Sequence, residues 1–122
     1  MSHIVTIQTE IRDVQALRSA CQRLELPAPV HETARLFQKQ KTSYCVRLPD
    51  WLYPVVCDTA RGQVHYDNFG GRWGEQKEFN RFLQGYAAEK ATLEARRQGY
   101  SVTEQRLKDG SIKLQVVIGG IA

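Results

Sequence analysis

Apolar positions recur along this chain with two different spacings, and the clearest helical spacing runs from Gln76 to Gln98. Apolar residues recur there at steps of three and four, which lines one face of an α-helix. These residues are Phe79, Phe82, Leu83, Tyr86, Ala87 and Leu93, with Lys90 as the one interruption. Gly99 follows as the residue that ends the helix, because glycine takes the positive φ of a left-handed cap at no steric cost.

The alternation beyond Gly99 predicts a β-hairpin. Two extended runs, Tyr100–Leu107 and Ser111–Ile118, flank the polar break at Asp109-Gly110. Asp-Gly between two strands favours a tight turn, since that turn requires positive φ. The second run places its apolar residues on one face, at Ile112, Leu114, Val116 and Ile118, and polar residues on the other.

The first half of the chain repeats these patterns in shorter form. A strand is predicted around Val5 and Ile7, followed by a helix over Val14–Leu26 with Asp13 as its N-cap. Pro27 and Pro29 end this helix, since proline in a helix interior loses a hydrogen bond and clashes. Three further extended runs are predicted at Ser43–Leu48, Tyr53–Asp58 and Gln63–Tyr66, and a loop with Gly70, Gly71 and Gly74 leads into the long helix.

These elements predict an α+β fold over residues 1–122 as a single domain, in the order β-α-β-β-β-α-β-β. We expect a mainly antiparallel sheet with both helices packed on one face, because each helix has a single apolar stripe to bury. A ferredoxin-like arrangement with an extra hairpin is the first strand order to test. The predicted core consists of Val14, Leu17, Leu24, Phe79, Leu83, Tyr86, Ile112, Leu114 and Val116.

Composition adds expectations about the environment of the protein. No run approaches the roughly 20 apolar residues of a membrane span, and the first residues lack the pattern of a secretion signal. We therefore expect a cytoplasmic protein that does not enter a membrane. The three cysteines, Cys21, Cys45 and Cys57, form neither a close pair nor zinc-ligand spacing, so buried thiols are the favoured interpretation.

Both ends of the chain resemble one family. The opening Met1-Ser2-His3-Ile4, with Thr6–Thr9 and Ile11–Asp13, and the closing Phe82–Gln84, Tyr86-Ala87, Gln98–Tyr100 and Gly110–Leu114 carry the resemblance. They are similar to an uncharacterised family typified by hypothetical chloroplast reading frame thirty-five, with plastid, cyanobacterial and bacterial members. The middle, from about Lys39 to Trp73, fits loosely, and Gly119–Ala122 stand where the family has a basic residue and a tryptophan.

The resemblance implies a fold rather than an activity, because the family has no established catalytic residues to transfer to this chain. Some members of the family are encoded beside ATPases of the ring-forming superfamily. The resemblance thus implies an accessory role to such a machine.

A catalytic site would have to use the few acid, base and nucleophile candidates. His65 and Asp67 share one face of a predicted strand, and Cys57 lies on a neighbouring run, so a Cys–His–Asp set is one hypothesis. No nucleophile motif surrounds these residues. The histidines His3, His31 and His65 lack ligand spacing, and Asn68–Gly74 lacks the spacing of a phosphate loop. We therefore predict no enzyme activity, no metal and no cofactor.

Nucleic-acid binding is the alternative function. The formal net charge is +4 and the pI about 9.1, which favours acidic partners. Arg35, Lys39 and Lys41 lie close in sequence to Tyr44, and aromatic residues among cations can stack bases and neutralise phosphates. RNA or single-stranded DNA would suit such a surface, although a solvated basic face gives the same pattern.

Protein binding is the favoured function. Aromatic residues in the loosely matched middle are of the type enriched at interface centres, although they also suit the core of a small sheet. The candidate surface comprises Trp51, Tyr53, His65, Asp67, Phe69 and Trp73. We predict a non-catalytic accessory protein with a protein partner, and the sequence is also compatible with a homo-oligomer.

Overall fold

The computed structural model describes residues 5–8, 10–36 and 39–118, with the side chains of residues 6–8, 32–36 and 39–42 outside the description. The two α-helices of this part of the chain are α1 (Val14–Arg23) and α2 (Gln76–Arg97). Its strands are β1 (Val5–Gln8), β2 (Val30–Leu36), β3 (Lys39–Val46), β4 (Val55–Asp58), β5 (Gln63–Tyr66), β6 (Ser101–Arg106) and β7 (Ile112–Val117). A 3-10 turn lies at Phe69–Gly71.

The strands form two antiparallel sheets. Five strands make the larger sheet in the order β1-β5-β4-β3-β2, while β6 and β7 form a separate two-stranded sheet. Consecutive strands from β2 to β5 pair with their neighbours, and β1 closes the far edge against β5. The predicted α+β class, with its antiparallel pairing, is confirmed.

The strand details differ from the prediction in three ways. The segment Val30–Leu36 is a strand that the sequence pattern did not predict. Its polar residues His31, Glu32 and Arg35 obscure the alternation of apolar and polar residues, and an edge strand needs apolar residues on one face only. The order is not ferredoxin-like: that arrangement places one strand between those flanking the first helix, and here three strands lie between β1 and β2. The C-terminal hairpin lies outside the larger sheet.

Both helices bury their apolar stripes in one core on the same face of the larger sheet. Strand residues Val46, Val55, Cys57, Val64 and Tyr66 meet Leu17 and Cys21 of α1 and Phe79, Phe82 and Tyr86 of α2. Leu17, Phe79 and Tyr86 are therefore core residues as predicted, whereas Leu24 and Leu83 are half-buried against the core and Val14 is half-buried.

The predicted core positions on β7 are wrong. Ile112 and Leu114 are only half-buried, and 42 % of Val116 is exposed. The reason is that the hairpin packs on α2 instead of joining the larger sheet, so its apolar face is not covered by the main core. The local geometry follows the prediction, since Gly99 and Gly110 both have positive φ and the Leu107 N–H donates to the Ser111 carbonyl at 2.9 Å.

Charged side chains connect α1, α2 and the hairpin. The Arg23 Nε donates to Glu89 Oε1 at 3.0 Å, and its Nη1 donates to Glu104 Oε1 at 2.8 Å. Asp13 caps α1 by accepting the Ala16 N–H at 3.1 Å, which confirms the predicted N-cap.

Asp13 also gives the stability of the fold a pH dependence. Burial raises its pKa, but the Ala16 N–H and the charges of Lys90 (3.1 Å) and Arg97 (3.4 Å) outweigh burial and hold it below the ordinary value. A carboxylate with a lowered pKa stabilises the fold above its unfolded pKa of about 3.9 and loses that contribution as pH falls through the folded pKa. We expect Asp13→Asn, which keeps the cap acceptor, to lose about 1 kcal/mol at neutral pH.

The measurement is urea unfolding of the wild type and the Asp13→Asn variant at pH 7 and pH 3. The difference between the two proteins should shrink at pH 3, which lies below the unfolded pKa of the carboxyl, because the unfolded wild type then takes up a proton that the ion-paired carboxylate of the folded state resists. A difference of equal size at both pH values would contradict the assigned role.

Candidate functional site

The segment that the sequence analysis singled out divides between two sides of the larger sheet. Trp51 points into the main core, where its ring centroid lies 5.8 Å from that of Tyr66 and 6.2 Å from that of Phe79. Its Nε1 donates to the Glu75 carbonyl at 3.1 Å. Trp51 therefore anchors the loop before α2 to the core.

Tyr53, Phe69, Arg72 and Trp73 form a cluster outside the main core, here called the aromatic patch. The Trp73 ring lies 4.7 Å from Phe69 and 5.7 Å from Tyr53, the second pair meeting edge to face. The Arg72 guanidinium lies 5.1 Å from the centre of the Phe69 ring, within cation–π range. The three aromatic residues are half-buried and Arg72 is exposed, so the patch is stacked internally and open to solvent on one side.

Backbone hydrogen bonds fix the loop that carries the patch. The Leu52 N–H donates to the Trp73 carbonyl at 2.8 Å, and the Trp73 N–H donates to the Asn68 carbonyl at 2.9 Å. Leu52 is 59 % exposed beside this connection. Sequence reasoning missed Leu52 and Arg72 as members of this surface; the one signal was their position next to candidate aromatic residues.

The loop holds Phe69 in a sparsely populated conformation. Its φ is +45°, followed by +62° at Gly70 and +97° at Gly71. Glycine adopts such angles freely, but a phenylalanine does so at a cost of about 1–3 kcal/mol. Residues in such conformations concentrate at binding and active sites, where the surrounding structure holds them in place.

The aromatic patch lies over a small second cluster on the sheet face opposite the helices. Tyr53 packs there against the buried Cys45 and Val56. His65 shares this face, because it pairs with Val56 across β4 and β5. Only 5 % of His65 is exposed and Asp67 is fully buried, so these two predicted surface residues do not present side chains to a partner.

Asp67 has an unusual environment for a carboxylate. Its Oδ1 accepts the Phe69 N–H at 3.3 Å, which supports the turn at Phe69. Its Oδ2 has no hydrogen-bond partner among the described residues. Burying an oxygen atom without a hydrogen-bond partner is unfavourable, so Asp67 lowers the stability of the folded loop.

The hypothetical Cys–His–Asp set is not assembled. Cys57 belongs to the main core on the helix face, whereas His65 lies on the opposite face of the sheet. Burial raises the pKa of Cys57 far above its usual range, so the thiolate is strongly disfavoured. Cys21 and Cys45 are buried as well, as predicted for thiols that act as small apolar side chains.

His31 and His65, two of the histidines whose spacing argued against a metal site, lie on different strands, β2 and β5. The centroid of the His31 ring lies 4.9 Å from that of Tyr44, with the two rings tilted by 53°, and His3 lies outside the described residues. Within the described part of the chain, no group of three His, Cys, Asp or Glu residues is placed to hold a metal ion.

The nucleic-acid alternative involves the hairpin of β2 and β3. Arg35 is on β2 and Lys39 and Lys41 are on β3, with their side chains outside the description. Tyr44 is half-buried and packs against the main core rather than projecting as a stacking platform. Nucleic-acid binding through this hairpin stays a prediction.

Comparison with known proteins adds no functional assignment. None of the helices in the described residues is long and apolar enough to cross a membrane. No family model, no curated protein and no solved structure matches the chain.

Proposed function

We propose that this protein is a non-catalytic, cytoplasmic accessory protein that binds a partner protein through the aromatic patch. The observation that carries the proposal is the half-exposed stack of Tyr53, Phe69 and Trp73 on a loop with positive φ at Phe69. Partly exposed aromatic residues with a neighbouring arginine have the composition of interface hot spots.

The charge of the patch indicates the chemistry of its partner. Arg72 stands exposed over Phe69, and the whole chain carries a formal net charge of +4. A complementary surface would present an apolar group to Phe69 and Leu52 and a carboxylate to Arg72. We therefore propose an acidic protein partner, and the family resemblance at the two ends of the chain suggests a ring-forming ATPase as the first candidate.

The hydrogen bonds that fix the loop of the aromatic patch support the proposal that it binds a partner. The hydrogen bonds from Leu52 to Trp73 and from Trp73 to Asn68 hold the aromatic rings in place before a partner arrives. Pre-organisation reduces the entropy lost on association and raises affinity without further contacts.

The test compares two surface variants in capture experiments from an extract of the native host. The double variant Leu52→Ser with Phe69→Ser removes apolar groups from the patch, while Val30→Ser removes an apolar side chain of similar exposure, 50 %, outside it. We expect the double variant to lose a stoichiometric partner, with affinity reduced about tenfold to a hundredfold, and Val30→Ser to retain it.

Two outcomes would count against the proposal. Equal recovery of the partner by all three proteins would exclude the aromatic patch as the contact surface. Capture that disappears after nuclease treatment and at raised salt would favour the nucleic-acid alternative, because phosphate contacts weaken steeply with salt. Thermal unfolding of each variant checks that the fold is intact.

A further inference from the structure

The hairpin of β6 and β7 exposes several large apolar side chains to solvent. Among the described side chains, the exposed large hydrophobic residues include Leu107, Val116, Val117 and Ile118 from this hairpin, with Ile118 76 % exposed. The hairpin is also a two-stranded sheet of its own, so neither outer edge is paired within the described residues. Isolated two-stranded sheets are marginal in water, and open edges pair readily with further strands.

The hydrogen bonds of the hairpin show which residues of β7 face its open edge. The Leu107 N–H donates to the Ser111 carbonyl, so Ser111 and every second residue after it direct their backbone groups at β6. The backbone groups of the residues between them must point away from β6. Within β7 these residues are Ile112, Leu114 and Val116, and Ile118 directly follows the strand; all four are apolar.

This edge lacks the features that protect natural strand edges. No proline, charged residue or glycine stands among these four positions, although charge and proline are the usual means of blocking edge pairing. Lys113 is the one charged residue of β7, and its backbone groups face β6. The β7 edge is thus suited to accept another strand.

We propose that β7 pairs antiparallel with β7 of a second copy of this chain, with the two-fold axis at Gln115. Such pairing places Ile112 opposite Ile118, Leu114 opposite Val116, and Lys113 opposite Val117. Apolar residues then meet apolar residues, and no like charges meet. Gln115 faces its own copy, where two side-chain amides can each donate and accept.

The register also satisfies the backbone. Leu114 and Val116 become a hydrogen-bonded pair, and so do Ile112 and Ile118 when β7 extends by one residue. Gln115 becomes a pair without backbone hydrogen bonds, as antiparallel alternation requires. The same patch serves both copies, so the contact closes at a dimer rather than extending into a filament.

A second surface, on α2, fits the same dimer. The flank of α2 formed by Leu83, Ala87 and Ala91, with Ile11 beside it, lines an open apolar groove of about 480 Å³. Its charges are internally balanced, since Lys90 and Arg97 pair with Glu94 at 2.8 Å each. Small residues on a helix surface permit close approach of another helix.

The position of this flank relative to β7 follows from the ion pairs. β6 is the strand next to α1, because its Glu104 pairs with Arg23. β7 is then the outer strand, on the side of α2 where Ala87 and Ala91 are exposed. Pairing of two β7 strands would put the two hairpins two strand spacings apart, about 9.6 Å. Helices beneath them would lie within the roughly 8–10 Å at which helices pack.

Dimerisation of this chain accounts for both the β7 edge and the α2 flank, whereas the binding of a single strand from another protein would account for the β7 edge alone. A stable interface buries roughly 1,200 Å² or more in total, which a single strand edge does not supply. The α2 flank supplies further apolar area only if the added strand brings its own helix, as a second copy would. The proposal concerns a different surface from the aromatic patch and does not rest on the proposed function.

The first test is the molar mass of the full chain in solution, by light scattering at high micromolar concentration, where a dimer has twice the monomer mass of 13.9 kDa. Val116→Pro removes an N–H that points to the open edge of β7 and leaves the pairing with β6 intact. Val102→Pro is the matched control, since Val102 faces Val116 in the hairpin and its N–H points to the opposite edge. We expect Val116→Pro to weaken dimerisation about tenfold or more and Val102→Pro to leave it unchanged.

The second test reads the register through disulfide formation. Gln115→Cys places two thiols at the two-fold axis, where the Cα atoms of a pair without hydrogen bonds lie about 4.5 Å apart, within disulfide range. Lys113→Cys places them more than about 13 Å apart. Under mild oxidation Gln115→Cys should give a cross-linked dimer and Lys113→Cys should not, while the natural cysteines stay buried.

Three results would overturn the proposal. A wild-type protein that is monomeric at high concentration has no such interface. A Val116→Pro variant that is folded by circular dichroism and still dimeric would place the interface elsewhere. Equal cross-linking of Gln115→Cys and Lys113→Cys would exclude the register.

Discussion

Replacing Phe79 by alanine is expected to destabilise the protein by about 3–5 kcal/mol, because the substitution empties the centre of the main core. Phe79 is 1 % exposed, and its ring lies 4.5 Å from Tyr66 and 6.3 Å from Phe82. Domains of this kind have unfolding free energies of about 5–15 kcal/mol. The variant should therefore lose about a fifth or more of its stability.

Urea unfolding followed by circular dichroism measures this loss, and two further variants define its origin. Phe79→Leu keeps most of the volume and should lose about 1.5 kcal/mol or less. Phe69→Ala makes the same chemical change in the aromatic patch, where the ring is half-buried, and should lose clearly less than Phe79→Ala. Similar losses for the two alanine variants would contradict the assignment of Phe79 to the core.

The elements predicted best were those that depend on neighbouring residues alone. The period of three and four predicted α2 over Gln76–Gln98, and the helix occupies Gln76–Arg97. The turns at Gly99 and Gly110 have the positive φ that the sequence indicated. Helices and tight turns are closed by hydrogen bonds within a few residues, so local sequence is sufficient to determine them.

The relations that the sequence did not predict are those between distant segments. The alternation on β7 correctly placed Ile112, Leu114 and Val116 on one face, but could not show that this face packs on α2 and not against the larger sheet. Similarly, β2 is a strand because β3 pairs with it over Val30–Leu36, not because its own residues alternate clearly. Burial is decided by which elements come together, and a periodicity does not contain that information.

In the candidate site, the burial of single residues also could not be predicted from the neighbouring sequence. Trp51 and Tyr53 are two positions apart, which would put them on one face of a regular strand, yet they lie on opposite sides of the sheet. The chain is not a strand there, since Asp50 has a φ of +61° and β4 begins only at Val55. His65 and Asp67 became inaccessible through packing of the chain around them, and the sequence gives no local sign of this.

Gly74→Ala is expected to lower the free energy of unfolding by about 3 kcal/mol, the second large effect. The cause is a steric clash between the loop before α2 and Trp51 in the main core. A Cβ atom at position 74 would lie 2.4 Å from Trp51 Cδ2, a distance that carbon atoms do not adopt without displacement. The indole has little freedom to move, because it contacts Tyr66 and Phe79 and donates to the Glu75 carbonyl. Overpacking at such a site typically costs 1–3 kcal/mol, and this overlap places it near the upper end of about 3.

Gly71→Ala serves as the matched control. Gly71 has a φ of +97°, but no heavy atom lies within 4 Å of the added Cβ, so only backbone strain of about 1 kcal/mol is expected. Urea unfolding compares the two variants. A loss for Gly74→Ala no larger than that for Gly71→Ala would show that the loop can shift away from Trp51.

A double-mutant cycle identifies the clash itself. Trp51→Leu removes the ring carbons that the new Cβ would meet, so Gly74→Ala should cost much less in the Trp51→Leu background than in the wild type. Additive losses would contradict the contact.

Trp73 precedes Gly74 and its carbonyl accepts the Leu52 N–H, so displacement of this segment should also move the aromatic patch. Gly74→Ala should therefore weaken partner capture as well as stability, whereas Phe79→Ala, if still folded at low temperature, should weaken stability alone.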